Sequence, residues 1–316
     1  MRVEAADRWA SWCARARRAV RPLRETGRGL LGLVLPVACA ACGADDVAWC
    51  GPCRSLLDGP PWRCEERAGR LDRMGTRPDV PAWALADAVG PVRSLVVSWK
   101  DRGRTDVTGD LVRALAAGAR LLAPELTAAV AVCPTPARLL VVPVPSTAAA
   151  RRRRGADLVA LLAGGVAEAL DDGPGRQERG SRARALVALR RRGGRDQVGL
   201  GRRARADNLA GRVRLARGLD PAELDGVPVL LVDDILTTGA TAAQCQEVLA
   251  RAGAVVIGLL VLASTPPPGA PSTLAPPPVA PGSRRFGAAA AGDLDRSHDL
   301  HSGTRARTVD SAPLRR

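Results

Sequence analysis

Val229-Leu230-Leu231-Val232-Asp233-Asp234-Ile235-Leu236-Thr237-Thr238-Gly239-Ala240-Thr241 is the stretch whose reading decides the fold. Its opening apolar run has the pattern of a strand buried on both faces. Two carboxylates end that run, which puts Asp233 and Asp234 at the carboxyl edge of a parallel sheet, where α/β proteins build ligand sites. A short hydroxyl-rich turn follows, and Gly239 lets the backbone approach a ligand with no side chain between. Residues 242–252 then read as a helix, with Cys245, Val248, Leu249 and Ala252 on one face and Gly253 placed to close its end.

A turn at a helix start points free N–H groups and the positive end of the helix dipole outward. Thr237, Thr238, Gly239, Ala240 and Thr241 supply those amides, and the three threonines add hydroxyl donors, a combination that binds phosphate. Paired carboxylates repel a phosphate unless they bind sugar hydroxyls or a divalent cation. Ribose hydroxyls and Mg²⁺ satisfy Asp233 and Asp234, so a sugar phosphate suits the segment better than free phosphate or a nucleic-acid backbone does. The plain alternative is a surface turn without ligand.

Outward from this segment, apolar β-branched runs at residues 141–142 and 255–262 alternate with Ala/Leu-rich helical segments at 111–122 and 158–170. Such alternation implies parallel strands joined by right-handed crossovers. Residues 10–35 are helix-compatible. Residues 65–81 look like a linker, residues 176–205 read as a mobile basic connection, and the Pro-rich chain beyond Ser264 cannot form a packed core.

At 316 residues the chain has room for one sizeable α/β domain, a small module and flexible ends. With no Tyr and one Phe the core must be Val, Leu and Ala, and stacking of bases on aromatic platforms is disfavoured. The formal charge of +15 attracts anionic partners. A coding bias toward Arg, Ala and Gly explains it equally well, since Lys100 is the only lysine among 47 basic residues. Four of the eight cysteines, Cys39, Cys42, Cys50 and Cys53, form two Cys-x-x-Cys pairs, which in a reducing cytoplasm reads as a metal site. Basic residues at 15–28, an apolar run at 30–37 and Ala38-Cys39-Ala40 follow the order of a secretory signal. That run is short and cleavage would fall at the first ligand cysteine, so a cytoplasmic location is expected. No stretch of about twenty apolar residues exists to span a membrane.

The acid pair followed by Thr-Thr-Gly-x-Thr resembles the signature of type I phosphoribosyltransferases. In chain order, further segments over residues 31–263 resemble the ComF family of competence-associated proteins, which join a cysteine-rich amino-terminal module to a phosphoribosyltransferase domain. These are the two cysteine pairs; Val96-Val97-Ser98-Trp99-Lys100; Val142-Pro143-Val144-Pro145-Ser146 followed by Arg151 to Arg154 and Gly155; and Gln197, Leu200, Arg205, Asn208 and Gly211. The chain departs from that pattern at Ala156, Asp157, Leu158 and Val213, which bear on contacts of the hood and on the acceptor.

The resemblance implies an α/β chain with a type I phosphoribosyltransferase fold, a parallel sheet flanked by helices with a hood, preceded by a small four-cysteine zinc-binding module. Residues 1–65 would hold the amino-terminal helix and zinc module, 66–82 a linker, 83–264 the phosphoribosyltransferase domain and 265–316 a disordered tail. Four thiolates can close a tetrahedral Zn²⁺ shell, each two-residue spacer presenting two sulfurs to one ion. Buried or redox-paired cysteines are the alternative. Cys64 would belong to a degenerate further pair, with Arg67 in place of its second cysteine. Asp233, Asp234 and Lys100 would form the catalytic set. Thr237 to Thr241 would take the 5-phosphate, and Pro143, Val144, Pro145, Ser146 and Arg154 the Mg²⁺-bound diphosphate.

In purine-salvage relatives an acidic residue at the position of Thr237 serves as a base, and a threonine cannot do this near neutral pH. The nucleophile then needs no deprotonation, as with ammonia, or there is no turnover. Two classes of function stand: transfer of a phosphoribosyl group to an unidentified nucleophile, or a DNA-uptake adaptor contacting single-stranded DNA and competence-machinery proteins.

Overall fold

The computed structural model describes residues 37–69, 80–136, 138–172, 182–192 and 212–267. Six strands form one sheet in the order β1 (Trp62–Arg63), β2 (Ala82–Asp87), β8 (Val255–Ser264), β7 (Pro228–Leu236), β3 (Arg138–Pro143) and β4 (Arg182–Ala185). Only β1 runs antiparallel; every other neighbouring pair is parallel. Parallel strands need crossovers, and helices α2 (Gly90–Asp101), α3 (Thr108–Leu121), α4 (Ala123–Ala131), α6 (Leu158–Asp172) and α7 (Ala240–Arg251) lie in the connections. Two shorter helices are α1 (Gly51–Arg54) and α5 (Ala148–Arg154).

Strand side chains divide between the two faces with period two. Leu139, Val141, Leu230, Val232, Leu260 and Leu262 share a cluster with Trp99 of α2, Leu115 of α3 and Leu162 of α6. Leu140, Val142, Val229, Leu231, Leu259 and Val261 pack instead against Cys245 and Leu249 of α7. Also in that second cluster are Leu189 and Val213, from a separate two-stranded ribbon of β5 (Leu189–Arg191) and β6 (Val213–Leu215). A doubly covered sheet explains why its strands read as continuous apolar runs.

The helices foreseen at 111–122 and 158–170 are present as α3 and α6, whereas two other expectations change. The basic stretch 176–205 is not wholly a connection. It contains β4 and β5, because Arg182-Ala183-Arg184-Ala185 alternates and buries Ala183 beneath its arginines. Nor does the cysteine segment stand apart from the sheet. β1 pairs with β2, and Cys39, Trp49, Cys53 and Leu57 share an apolar cluster with Val92, Trp99 and Leu262. The helix expected at 10–35, the hood segment with Gln197 to Gly211, most of the linker and the tail beyond residue 267 lie outside the described residues. No single helix among the described residues is long and apolar enough to cross a membrane.

Two adjacent glycines of α6 test the helix packing. A Cβ at Gly165 would overlap Val112 Cγ1 of α3, whereas one at Gly164 meets nothing within 4 Å. Gly165→Ala is expected to lower stability by about 1–3 kcal/mol through overpacking. Gly164→Ala should raise it by about 0.5–1 kcal/mol through helix propensity. Chemical denaturation of both variants checks the pair.

Candidate functional site

The acid pair lies within β7, which continues to Leu236, and both residues sit in its last four positions. Asp233 pairs in register with Val261 of β8 and Leu236 with Ser264, the last residue of β8, so the acids stand at the carboxyl edge. Asp234 is 3% exposed, and its Oδ1 accepts from the Ile235 amide at 2.6 Å while Oδ2 lies 2.5 Å from Lys100 Nζ. That ammonium contact lacks the alignment of a hydrogen bond, leaving Oδ2 without a directional donor. Asp233 keeps some contact with solvent and its Oδ1 accepts from the Asp234 amide at 2.9 Å.

Enclosure at the sheet edge pushes the Asp233 carboxyl well above its ordinary value, the Asp234 charge adds to the push, and Lys100 opposes it. Among the described residues, Lys100 is the cation that offsets the two acids. Paired carboxylates at a sheet edge offer hard oxygen acceptors, able to take hydroxyl donors or a divalent cation.

Beyond Leu236 the chain turns through Thr237 and Thr238, both exposed, to Gly239, whose φ of 73° is left-handed and caps α7. That φ needs glycine. Among the described residues, no backbone hydrogen bond engages the amides of Thr237, Thr238, Gly239, Ala240 or Thr241; the first amide of the turn so engaged is Ala243, which donates to the Gly239 carbonyl at 2.8 Å. The helix start therefore presents free donors beside the acid pair.

Pro143, at the end of β3, faces Val232 of β7, and the Val144 amide donates to the Val232 carbonyl at 2.8 Å. Pro143, Val144 and Pro145 are buried and Ser146 is half-buried, so the Pro-Val-Pro turn adjoins the acid pair along one edge. Thr147 then caps α5, its Oγ1 accepting from the Ala150 amide at 3.2 Å. Arg154, expected beside a diphosphate, faces the end of α2: its Nε donates to the Lys100 carbonyl at 2.7 Å and Nη2 lies 3.6 Å from Asp101. It therefore holds the backbone that carries the ammonium.

Cys39, Cys42, Cys50 and Cys53 form the second candidate site. Cys39 and Cys42 sit in a tight turn closed by the Gly43 amide on the Cys39 carbonyl at 2.9 Å, and Cys50 and Cys53 flank the start of α1. All four sulfurs lie within 4.8 Å of one another, with Cys39–Cys50 at 3.7 Å and Cys42–Cys50 at 3.6 Å. Four sulfurs around one tetrahedral ion at about 2.3 Å stand about 3.8 Å apart, so the cluster is one that can bind a metal such as zinc. Burial raises the Cys39 thiol, but hydrogen bonds from the Cys42, Cys50 and Ala41 amides outweigh it and hold the thiol at about 7. Burial pushes Cys42 and Cys53 up instead, and at Cys53 neighbouring sulfurs add to the push. A bound cation reverses such repulsion.

Sequence reasoning did not identify Arg104, which binds this turn to the body of the protein. Its Nη1 donates to the Ala38 carbonyl at 2.6 Å, Nη2 to the Ala48 carbonyl at 3.0 Å, and Nε to Asp106 at 3.0 Å. Nothing in a chain so rich in arginine marks this one. Cys64 lies outside the cluster: it is wholly buried against the other face of the sheet, and burial pushes its thiol up to about 12. Arg67, three residues on, pairs with Asp87 at 2.5 Å and covers the Trp62 ring.

Searches against models of known protein families and against curated proteins find no match for this chain.

The acid pair has a measurable cost. Because the folded value of Asp233 is raised above 3.8, stability falls as pH climbs from there through the raised value. Asp233→Asn keeps the acceptor for the Asp234 amide and removes the repulsion. It is expected to raise Tm by about 2–4 °C at pH 8, equivalent to about 1 kcal/mol, and by less at pH 5. Thermal melts at the two pH values provide the check.

Proposed function

We propose that the sheet edge binds phosphoribosyl diphosphate together with Mg²⁺, and that the chain is a phosphoribosyltransferase-fold protein acting on that ligand. The observation that carries the reading is the juxtaposition of unengaged amides at residues 237–241 with an acid pair only half neutralised by Lys100. The amides and threonine hydroxyls hold the 5-phosphate, and the carboxylates of Asp233 and Asp234 hold the ribose diol. The backbone around Pro143 to Ser146 borders the diphosphate. Mg²⁺, when bound, supplies charge neutralisation for the departing diphosphate.

Lys100 has two roles in this scheme. Without ligand it is the counter-charge of Asp234; with ligand it is a compact ammonium at hand for a phosphate oxygen. Arg154 and Asp101 fix the position from which it reaches. Transfer then consists of a nucleophile's lone pair bonding to the anomeric carbon as the carbon–oxygen bond to diphosphate breaks, with fixed positions supplying most of the acceleration. Thr237 offers no base, so the reading favours a nucleophile that arrives unprotonated, with ammonia the simplest. The cysteine cluster is read as a structural Zn²⁺ site, and the β5–β6 ribbon, bridged to Thr147 through Arg191, stands where a hood would.

Calorimetric titration of the full chain with phosphoribosyl diphosphate and Mg²⁺ is expected to show saturable binding. Asp234→Asn or Lys100→Met should weaken it at least about tenfold, and diphosphate should appear when ammonia is added. Absence of binding by the parent chain sinks the proposal. Tight single-stranded DNA binding that falls steeply with salt and is unchanged in Asp233→Asn would favour the adaptor role instead.

The metal reading has its own test. Purified chain is expected to contain one zinc per protein by atomic emission, and Cys53→Ser to lose it with a fall in Tm. A disulfide-linked, metal-free protein refutes it.

A further inference from the structure

Between the β5–β6 ribbon and the carboxyl-terminal half of α7 runs an open groove of about 520 Å³. Its floor is apolar, made of Val213, Leu215, Val248 and Ala252, and its rim carries Arg190, Arg214 and Arg251. Val248 lies seven residues beyond Thr241, about 10 Å along the helix, so the groove is separate from the phosphate loop. Arg190 and Arg214 are register partners on adjacent strands. Like charges directly opposite on one face of a ribbon repel and weaken it.

Among the described residues nothing relieves this repulsion. Arg190 spends its Nε on the Leu215 carbonyl at 2.9 Å, and Arg251 meets Glu247 at 2.7 Å. Among the described residues no carboxylate pairs with Arg190 or Arg214, and Arg214 is exposed. Two opposed guanidinium groups with a third across the groove form a rim suited to anions, and carboxylates meet such forks with two parallel hydrogen bonds.

The floor selects among anions. Inorganic phosphate or a nucleic-acid backbone has no use for an aliphatic surface, and among the described residues no aromatic ring lines the groove for a base to stack on. A small molecule in so open a groove keeps much of its surface in water, whereas ligand pockets bury most of theirs. An extended peptide uses both features: alternate side chains point to opposite sides, so aliphatic residues reach the floor while acidic neighbours reach the rim. We propose that this groove is a docking site for an acidic partner segment in which Glu or Asp alternates with aliphatic residues.

The test uses the full chain and a fluorescein-labelled peptide of alternating Glu and Leu, read by anisotropy at about physiological salt. Saturable binding is expected, unaffected by phosphoribosyl diphosphate. Arg190→Glu with Arg214→Glu should weaken it at least about tenfold. Arg93→Glu with Arg120→Glu, the same charge change on exposed positions of α2 and α3, should alter it less than about threefold. Val248→Ser should weaken it several-fold. Arg214→Ala breaks no hydrogen bond seen in the ribbon, so it guards against misfolding of the double variant; it should weaken binding and slightly raise Tm. Four outcomes overturn the proposal: no binding, equal loss in both charge-reversed pairs, equal affinity for a Glu/Ser peptide, or an oligodeoxythymidylate that binds more tightly through the same arginines.

Discussion

An ammonium held against a nearly buried carboxylate, Lys100 on Asp234, organises the sheet edge. Asp234 is 3% exposed, and this chain sets its single lysine against it. The pair joins the tip of β7 to the end of α2, and Arg154 extends the link by fastening the Lys100 carbonyl to α5. Three segments distant in sequence are thus kept in register around the turn at 237–241. A second acid, Asp233, stands beside the first, and burial together with the Asp234 charge pushes its carboxyl well above the ordinary value.

The same stretch of chain fixes the cysteine turn. Arg104 follows Lys100 by four residues and donates to two carbonyls, Ala38 and Ala48, that each precede one of the cysteine pairs, with Asp106 holding its guanidinium in place. The α2–α3 connection therefore faces two ways, toward the acid pair and toward the sulfur cluster. Trp99, wholly buried between these two anchors, locks the connection from below through its indole N–H on Thr108 Oγ1 at 2.9 Å.

Much of this was legible in the sequence, for identifiable reasons. The strand that carries Asp233 and Asp234, the helix that follows the threonine turn and the helices of residues 111–122 and 158–170 follow from periodicity, which survives a biased composition because Val, Leu and Ala still alternate with Arg and Asp, although the strand runs on to Leu236 and the helix starts at Ala240. The cysteine spacing foretold four sulfurs in one place. The arginines were not legible. A side chain so common gives no sign of which copies clamp a backbone, as Arg154 does at the Lys100 carbonyl. Density of charge also hid β4, where alternation of Arg with Ala is a strand pattern that average polarity conceals. The ribbon of β5 and β6 joins residues across an intervening basic stretch, a pairing that no local signal announces.

Because Trp49, Cys53 and Leu57 belong to the same apolar cluster as Trp99 and Leu262, the cysteine segment is not a detachable bead on a string. Cut away for grafting onto another scaffold, it would carry a naked greasy underside and leave a matching hollow behind. Evolutionary shuffling of such a segment would have to bring its seat along with it, and engineers who trim this chain for brevity should keep residues 37–57 together with the strands and helices they cover.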